Sequence, residues 1–141
     1  MFVRPGPHRP TLDEGMPVTA NQLTLTFAAD SRFIATVRLT AASIAAEFGF
    51  DVDDIEDLRV AANELFAFLV ETAEDVGGDQ VEIAIHPSDH DISIEGRVLG
   101  VNGTTHDVPA VDELTSRILD AVVDTHDFDG AWGRIHKRSS S

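Results

Sequence analysis

Cysteine is absent from the 141-residue chain. Disulfides, thiolate metal sites and cysteine nucleophiles are therefore excluded. Long apolar runs are missing too, and none approaches the roughly 20 residues needed to cross a bilayer. The start, MFVRPGPHRP, has no apolar stretch behind its charges and does not read as a secretory signal. A cytoplasmic protein without membrane association is expected. The GxSxG, P-loop, HExxH and GxGxxG patterns of several enzyme classes do not occur. Positive charge is scarce: one lysine and nine arginines stand against 25 acids, for a net charge of −15. Five of the ten cations sit near the ends (Arg4, Arg9, Arg134, Lys137 and Arg138), and all 25 acids lie between Asp13 and Asp129. Such a field repels phosphate backbones and anionic lipid, so direct nucleic-acid binding is not expected. It suits a basic protein partner, and it also serves solubility.

What is present reads as one domain between two tails. Hydrophobic residues make up 43% and charged residues 25%, ordinary for a soluble globular chain. Residues 1–21 hold four of the six prolines and no hydrophobic period, which predicts a flexible N-terminal tail. Residues 139–141 predict a disordered C-terminus, leaving a domain over 22–138. Leu23 to Phe27 alternates apolar and polar, the mark of a half-buried strand. After a cap at Asp30 or Ser31, apolar positions from Phe33 through Val37, Ala41 and Ile44 to Phe48 recur at helical spacing, and Gly49 ends them. A second helix starts at Asp51 or Asp53, with acids in its first turn that suit the helix dipole. Its stripe of Ile55, Leu58, Ala62, Leu65, Leu69, Ala73 and Val76 steps by three or four until Gly77-Gly78.

Gln80–Ile85 and Asp91–Val98 alternate around a Pro/Asp turn and predict a hairpin. Residues 99–109 read as a loop. A third helix is expected over Val111–Val123, with Leu114, Ile118, Leu119 and Val122 inward. Two further strands flank Asp129-Gly130, a strong hairpin signal. The fold class expected is α+β: a two-layer sandwich whose mixed, mainly antiparallel sheet is covered on one face by three helices.

Candidate chemistry starts with histidine. His86 and His90 stand with Asp89 and Asp91 in HPSDHD, residue types competent to bind a metal. The segment is a turn without a rigid element to preset geometry, and a solvated hairpin tip is the preferred reading. His106 and His126 each precede an aspartate, which could orient a base; ordinary polar loop chemistry is the preferred reading. No metal site is assigned.

The segment LRVAANELFAFLVETA within the second helix resembles the first nucleotide-binding box of the histidine-kinase-like ATPases. It is most similar to the small anti-sigma factors with serine-protein-kinase activity. That box has a glutamate followed four residues later by an asparagine. Glu64 matches the glutamate and Ala73 the closing alanine, and the order of elements fits across about residues 22–138. Arg38 lies 26 residues before Glu64, where the resemblance implies an arginine that touches both sigma factor and antagonist. The departures are as informative. The family's Mg²⁺-holding asparagine is replaced by Phe68, which has no ligand atom and lies one turn from Glu64 on the same face. Glu71 and Thr72 stand at the next polar positions, and Glu71 adds negative charge where nucleotide phosphates would lie. The second box, Asp-x-Gly-x-Gly, is not found in ISIEGRVLGVNGTT. The later phosphate-cradling Gly-x-Gly is replaced by DVPAVDELTS.

The expected function is therefore an anti-sigma-factor-like regulator that sequesters a sigma factor by protein–protein binding. Arg38 is its partner-binding residue, an anti-anti-sigma factor is its antagonist, and a homodimer is expected. Glu64, Phe68, Glu71 and Thr72 are degenerate positions of a nucleotide site, Glu64 being catalytic only if that site is active, and no cofactor is expected. Two alternatives stand. One is an ATP/Mg²⁺-dependent serine-protein kinase acting on an anti-anti-sigma factor. The other is an unrelated α+β ligand-binding domain, with an apolar pocket between Phe66, Phe68 and the loop at 99–109.

Overall fold

The computed structural model describes residues 22–101 and 111–140. The expected N-terminal tail, His106, most of the 99–109 loop and Ser141 lie outside them. In chain order the elements are β1 (Leu23–Ala28), a 3-10 turn (Ser31–Phe33), α1 (Ile34–Glu47), α2 (Val52–Val76), β2 (Gln80–Pro87), β3 (Asp91–Leu99), α3 (Glu113–Val122), β4 (Thr125–Asp129) and β5 (Trp132–Arg138). The caps explain the boundaries. Asp30 accepts from the Arg32 backbone N–H and Asp51 from that of Asp54, which satisfies donors that a first turn leaves free. Gly77 closes α2 in the left-handed region, φ +74°, where a side chain would be strained.

The strands form one sheet in the order β1-β2-β3-β5-β4. Every pairing is antiparallel, so the sheet is not mixed. The reason is the last hairpin: after α3 the chain enters at the edge as β4, and β5 returns beside β3. One face is apolar, with Val81, Ile83, Ile85, Ile92, Ile94 and Ile135 fully buried. The long helix α2 lies over β3 and β5, with α1 and α3 packed against it. Gly96 and Gly133 stand opposite each other in the β3–β5 register. A Cβ on Gly96 would meet Leu69, and one on Gly133 would meet Leu65 and Phe128. The glycine pair thus makes the trough into which α2 settles. Gly96 lies within ISIEGRVLGVNGTT, and its lack of a side chain serves core packing.

Three expectations change. Leu114 is 68% exposed. Helix α3 is turned so that Leu119 is buried and Thr115 faces α2; Leu114 lies five residues from Leu119, about 140° around the helix. Phe66 is fully buried with its ring 5.7 Å from that of Phe27, whereas Phe68 packs near β4. Two positions apart on a helix, they point about 200° apart, so no shared pocket lies between them among the described residues. Thr72 is also fully buried, and its hydroxyl has no hydrogen-bond partner among the described residues.

Candidate functional site

Two clefts flank the exposed back of α2. The first lies between α2 and α3 and encloses about 310 Å³. Its described lining is Glu64, Ala67, Phe68, Glu71, Val111, Asp112 and Thr115. Glu64, Phe68 and Glu71 come one turn apart along α2, so the spacing read from the sequence does place them together. Thr72, next in the chain, is directed into the protein and does not line the cleft. The Phe68 ring meets Phe128 of β4 edge-on, with centroids 4.8 Å apart and planes at 74°. This geometry suits the aromatic quadrupole and fixes the ring.

The electrostatics of this cleft are one-sided. Three carboxylates, Glu64, Glu71 and Asp112, line it, with no cation among the described lining residues. Asp112 also caps α3: its carboxylate accepts from the Thr115 N–H at 2.7 Å. That bond holds its pKa below the usual carboxylate range. A free helix N-terminus would offer these N–H groups to a phosphate; here the chain supplies its own anion. The described lining offers no side-chain amide and no cation. Among the described residues the cleft presents the Phe68 ring beside the carboxylates of Glu64, Glu71 and Asp112.

The second cleft, about 350 Å³, lies where α1 meets α2 and is lined by Arg38, Glu56, Arg59, Val60 and Asn63. Arg38 is half-buried, and its Nη1 donates to Asn63 Oδ1 at 3.1 Å. Val60 is 40% exposed and Leu39, next to Arg38, 61% exposed. Arginine flanked by exposed aliphatic side chains has the composition of an interface anchor. Sequence reasoning singled out Arg38 but missed Asn63, which is polar within an apolar-periodic helix.

The histidines are dispersed. His86 Nε2 lies 3.2 Å from Glu95 Oε1, and His136 Nε2 lies 2.8 Å from Asp91 Oδ2. Asp91 also accepts from Ser88 Oγ at 2.6 Å, and the two bonds hold its carboxyl below its ordinary pKa. The residues of HPSDHD are thus drawn to different partners, and no group of three or more His, Asp or Glu among the described residues is placed to share a cation. His126 pairs with Asp120 at 2.7 Å, not with its neighbour Asp127; adjacent strand residues point to opposite faces. No helix among the described residues is long and apolar enough to cross a membrane.

No protein-family model matches the chain. Curated relatives do match over part of it. It is 43% identical to a serine-protein kinase RsbW of Halalkalibacterium halodurans over 54 residues, 38% of this chain and 33% of that protein. It is 44% identical over 59 residues to proteins of the same name from Bacillus thuringiensis and Bacillus anthracis, covering 40% of this chain and 34% of each. The matched stretch thus spans about a third of the length of these relatives. A crystal structure of the RsbU and RsbW domains of a Mycobacterium tuberculosis protein superposes on 85% of this chain and 32% of its own, with TM-score 0.54 and 20% identity. That likeness concerns the fold alone. The chain is thus similar in sequence, over part of its length, to proteins named serine-protein kinase RsbW, and similar in fold, over most of its length, to a structure containing an RsbW domain.

Proposed function

We propose that this protein is an anti-sigma-type regulator that captures a sigma factor by protein–protein contact and does so without nucleotide. The observation that carries the second half is Phe68, packed on Phe128 in an acidic cleft, at a position where the resemblance implies a metal-holding amide. The first half rests on the RsbW-named relatives and on Arg38, which sits beside exposed Leu39 and Val60. In this reading the α1–α2 surface covers a patch that the sigma factor needs for polymerase, so the mechanism is steric. An anti-anti-sigma factor competes for an overlapping surface. The protein acts in the cytoplasm as a homodimer within a stress-response type of partner switching. Its net charge of −15 speeds encounter with basic partners, an effect that weakens with salt.

The test is capture of the sigma factors encoded by the same genome on the immobilised protein, with and without ATP and Mg²⁺. Capture equal in both conditions is expected. Arg38→Ala is expected to weaken it by about tenfold or more while leaving the circular-dichroism spectrum unchanged. Failure to retain any sigma factor would count against the reading, and phosphate transfer to an anti-anti-sigma factor would restore the kinase alternative.

A further inference from the structure

We propose that Asn63 is a positioning residue that holds the Arg38 guanidinium, and that a hydrogen-bonded line of Arg38, Asn63, Glu64 and Thr115 ties the α1–α2 surface to the first turn of α3. The bonds are Arg38 Nη1 to Asn63 Oδ1 at 3.1 Å, Asn63 Nδ2 to Glu64 Oε2 at 3.4 Å, and Thr115 Oγ1 to Glu64 Oε1 at 3.3 Å. All four side chains are half-buried. Helix α2 stands between the other two, and the line crosses its outer surface. Neighbouring helix positions are about 100° apart, so Asn63 turns to α1 while Glu64 turns to α3.

The chemistry fixes the orientation of the amide. A guanidinium has only donors and a carboxylate only acceptors. An asparagine between them satisfies both in one orientation, with oxygen toward Arg38 and nitrogen toward Glu64. Aspartate would keep the first bond and replace the second with repulsion; leucine would lose both. The line has a cation at one end, an anion near the other and a polarisable amide between, an arrangement in which each bond strengthens its neighbour. Glu64 thereby gains a role that needs no substrate: it is the brace for Asn63, itself braced by Thr115. A partner that takes hold of Arg38 pulls on the same line, whose far end is Thr115 in the first turn of α3.

The use of Arg38 for a partner rests on the reading above, but the line itself is measurable in the free, full-length protein. Arg38→Met, Thr115→Val and the double variant keep side-chain size while removing one end or both. The expected result is non-additivity: the unfolding equilibrium constant of the double variant differs by about twofold or more from the product of the single effects. The Arg38 Nε–H signal in ¹⁵N NMR should shift in Thr115→Val. It should move toward that of a free arginine in Asn63→Leu, whereas in Asn63→Asp, which keeps the contact to Arg38 but breaks the link to Glu64, it should no longer respond to Thr115→Val. Additive effects, together with an Arg38 signal indifferent to Thr115→Val in a folded protein, would overturn the proposal. Coupling that persists while Arg38→Ala leaves sigma capture intact would uphold the line and remove Arg38 from the partner surface.

Discussion

Lys137→Ala is expected to cost about 3 kcal/mol of stability at neutral pH, with the loss shrinking in acid. The reason lies at the start of α2. Asp54 is 2% exposed and sits in the first turn, where a surface acid would suffice for the helix dipole. Its carboxylate accepts from the Ser140 hydroxyl at 2.6 Å and the Ser140 backbone N–H at 2.9 Å. Lys137 Nζ stands 3.7 Å from Asp54 and 3.2 Å from Asp57, and donates to the Val122 carbonyl at 2.9 Å. Removing the ammonium leaves a desolvated carboxylate with neutral donors only, and such uncompensated charge is costly.

The pH dependence follows from the same cluster. Burial pushes the Asp54 carboxyl up, but the Ser140 bonds and the Lys137 charge together outweigh it, and its pKa falls below the ordinary value. A depressed folded pKa contributes stability that is present above the unfolded value, about 4, and is lost as pH falls through the folded value. Asp91, lowered by His136 and Ser88, behaves likewise. Chemical denaturation of the native protein should therefore show stability declining below about pH 4. Lys137→Ala should converge toward it there, because protonated Asp54 needs no cation. A loss independent of pH would mean that Lys137 acts through its methylenes alone.

The second large effect distinguishes two phenylalanines that lie two residues apart. Phe66→Ala is expected to cost about 3–5 kcal/mol, the range for a fully buried aromatic, which lowers Tm by on the order of 10 °C. Phe68→Ala should cost about half as much, because its ring is only partly buried against Phe128. Thermal melts of the two variants give the ranking. Equal losses would mean that Phe68 is a core residue and that the α2–α3 cleft is closed in solution.

The helices and strands were legible because their periods are long and their stops are glycine or proline. The α2 stripe recurs at helical spacing over 20 residues and can belong only to a helix packed on something broad. The shared face of Glu64, Phe68 and Glu71 was legible for the same reason. What was hidden depended on partners distant in the chain. Nothing in the first turn of α2 says that Asp54 is buried, since Lys137 and Ser140 lie more than 80 positions later. Leu114 could not be told from a core leucine because the ten residues of α3, fewer than three turns, admit two rotations. Thr115, facing Glu64, decides between them. Asn63 was passed over because a lone asparagine on a helix gives no sign of which neighbours its amide will join.

Isothermal titration of the full-length protein with ATP and Mg²⁺ reaches the central claim most directly. If, as proposed, the Phe68 ring stands where a metal-holding amide is needed, no heat of binding is expected up to millimolar nucleotide, and Phe68→Asn alone should not create one. Micromolar, magnesium-dependent binding that Glu64→Ala or Phe68→Trp abolishes would contradict the account.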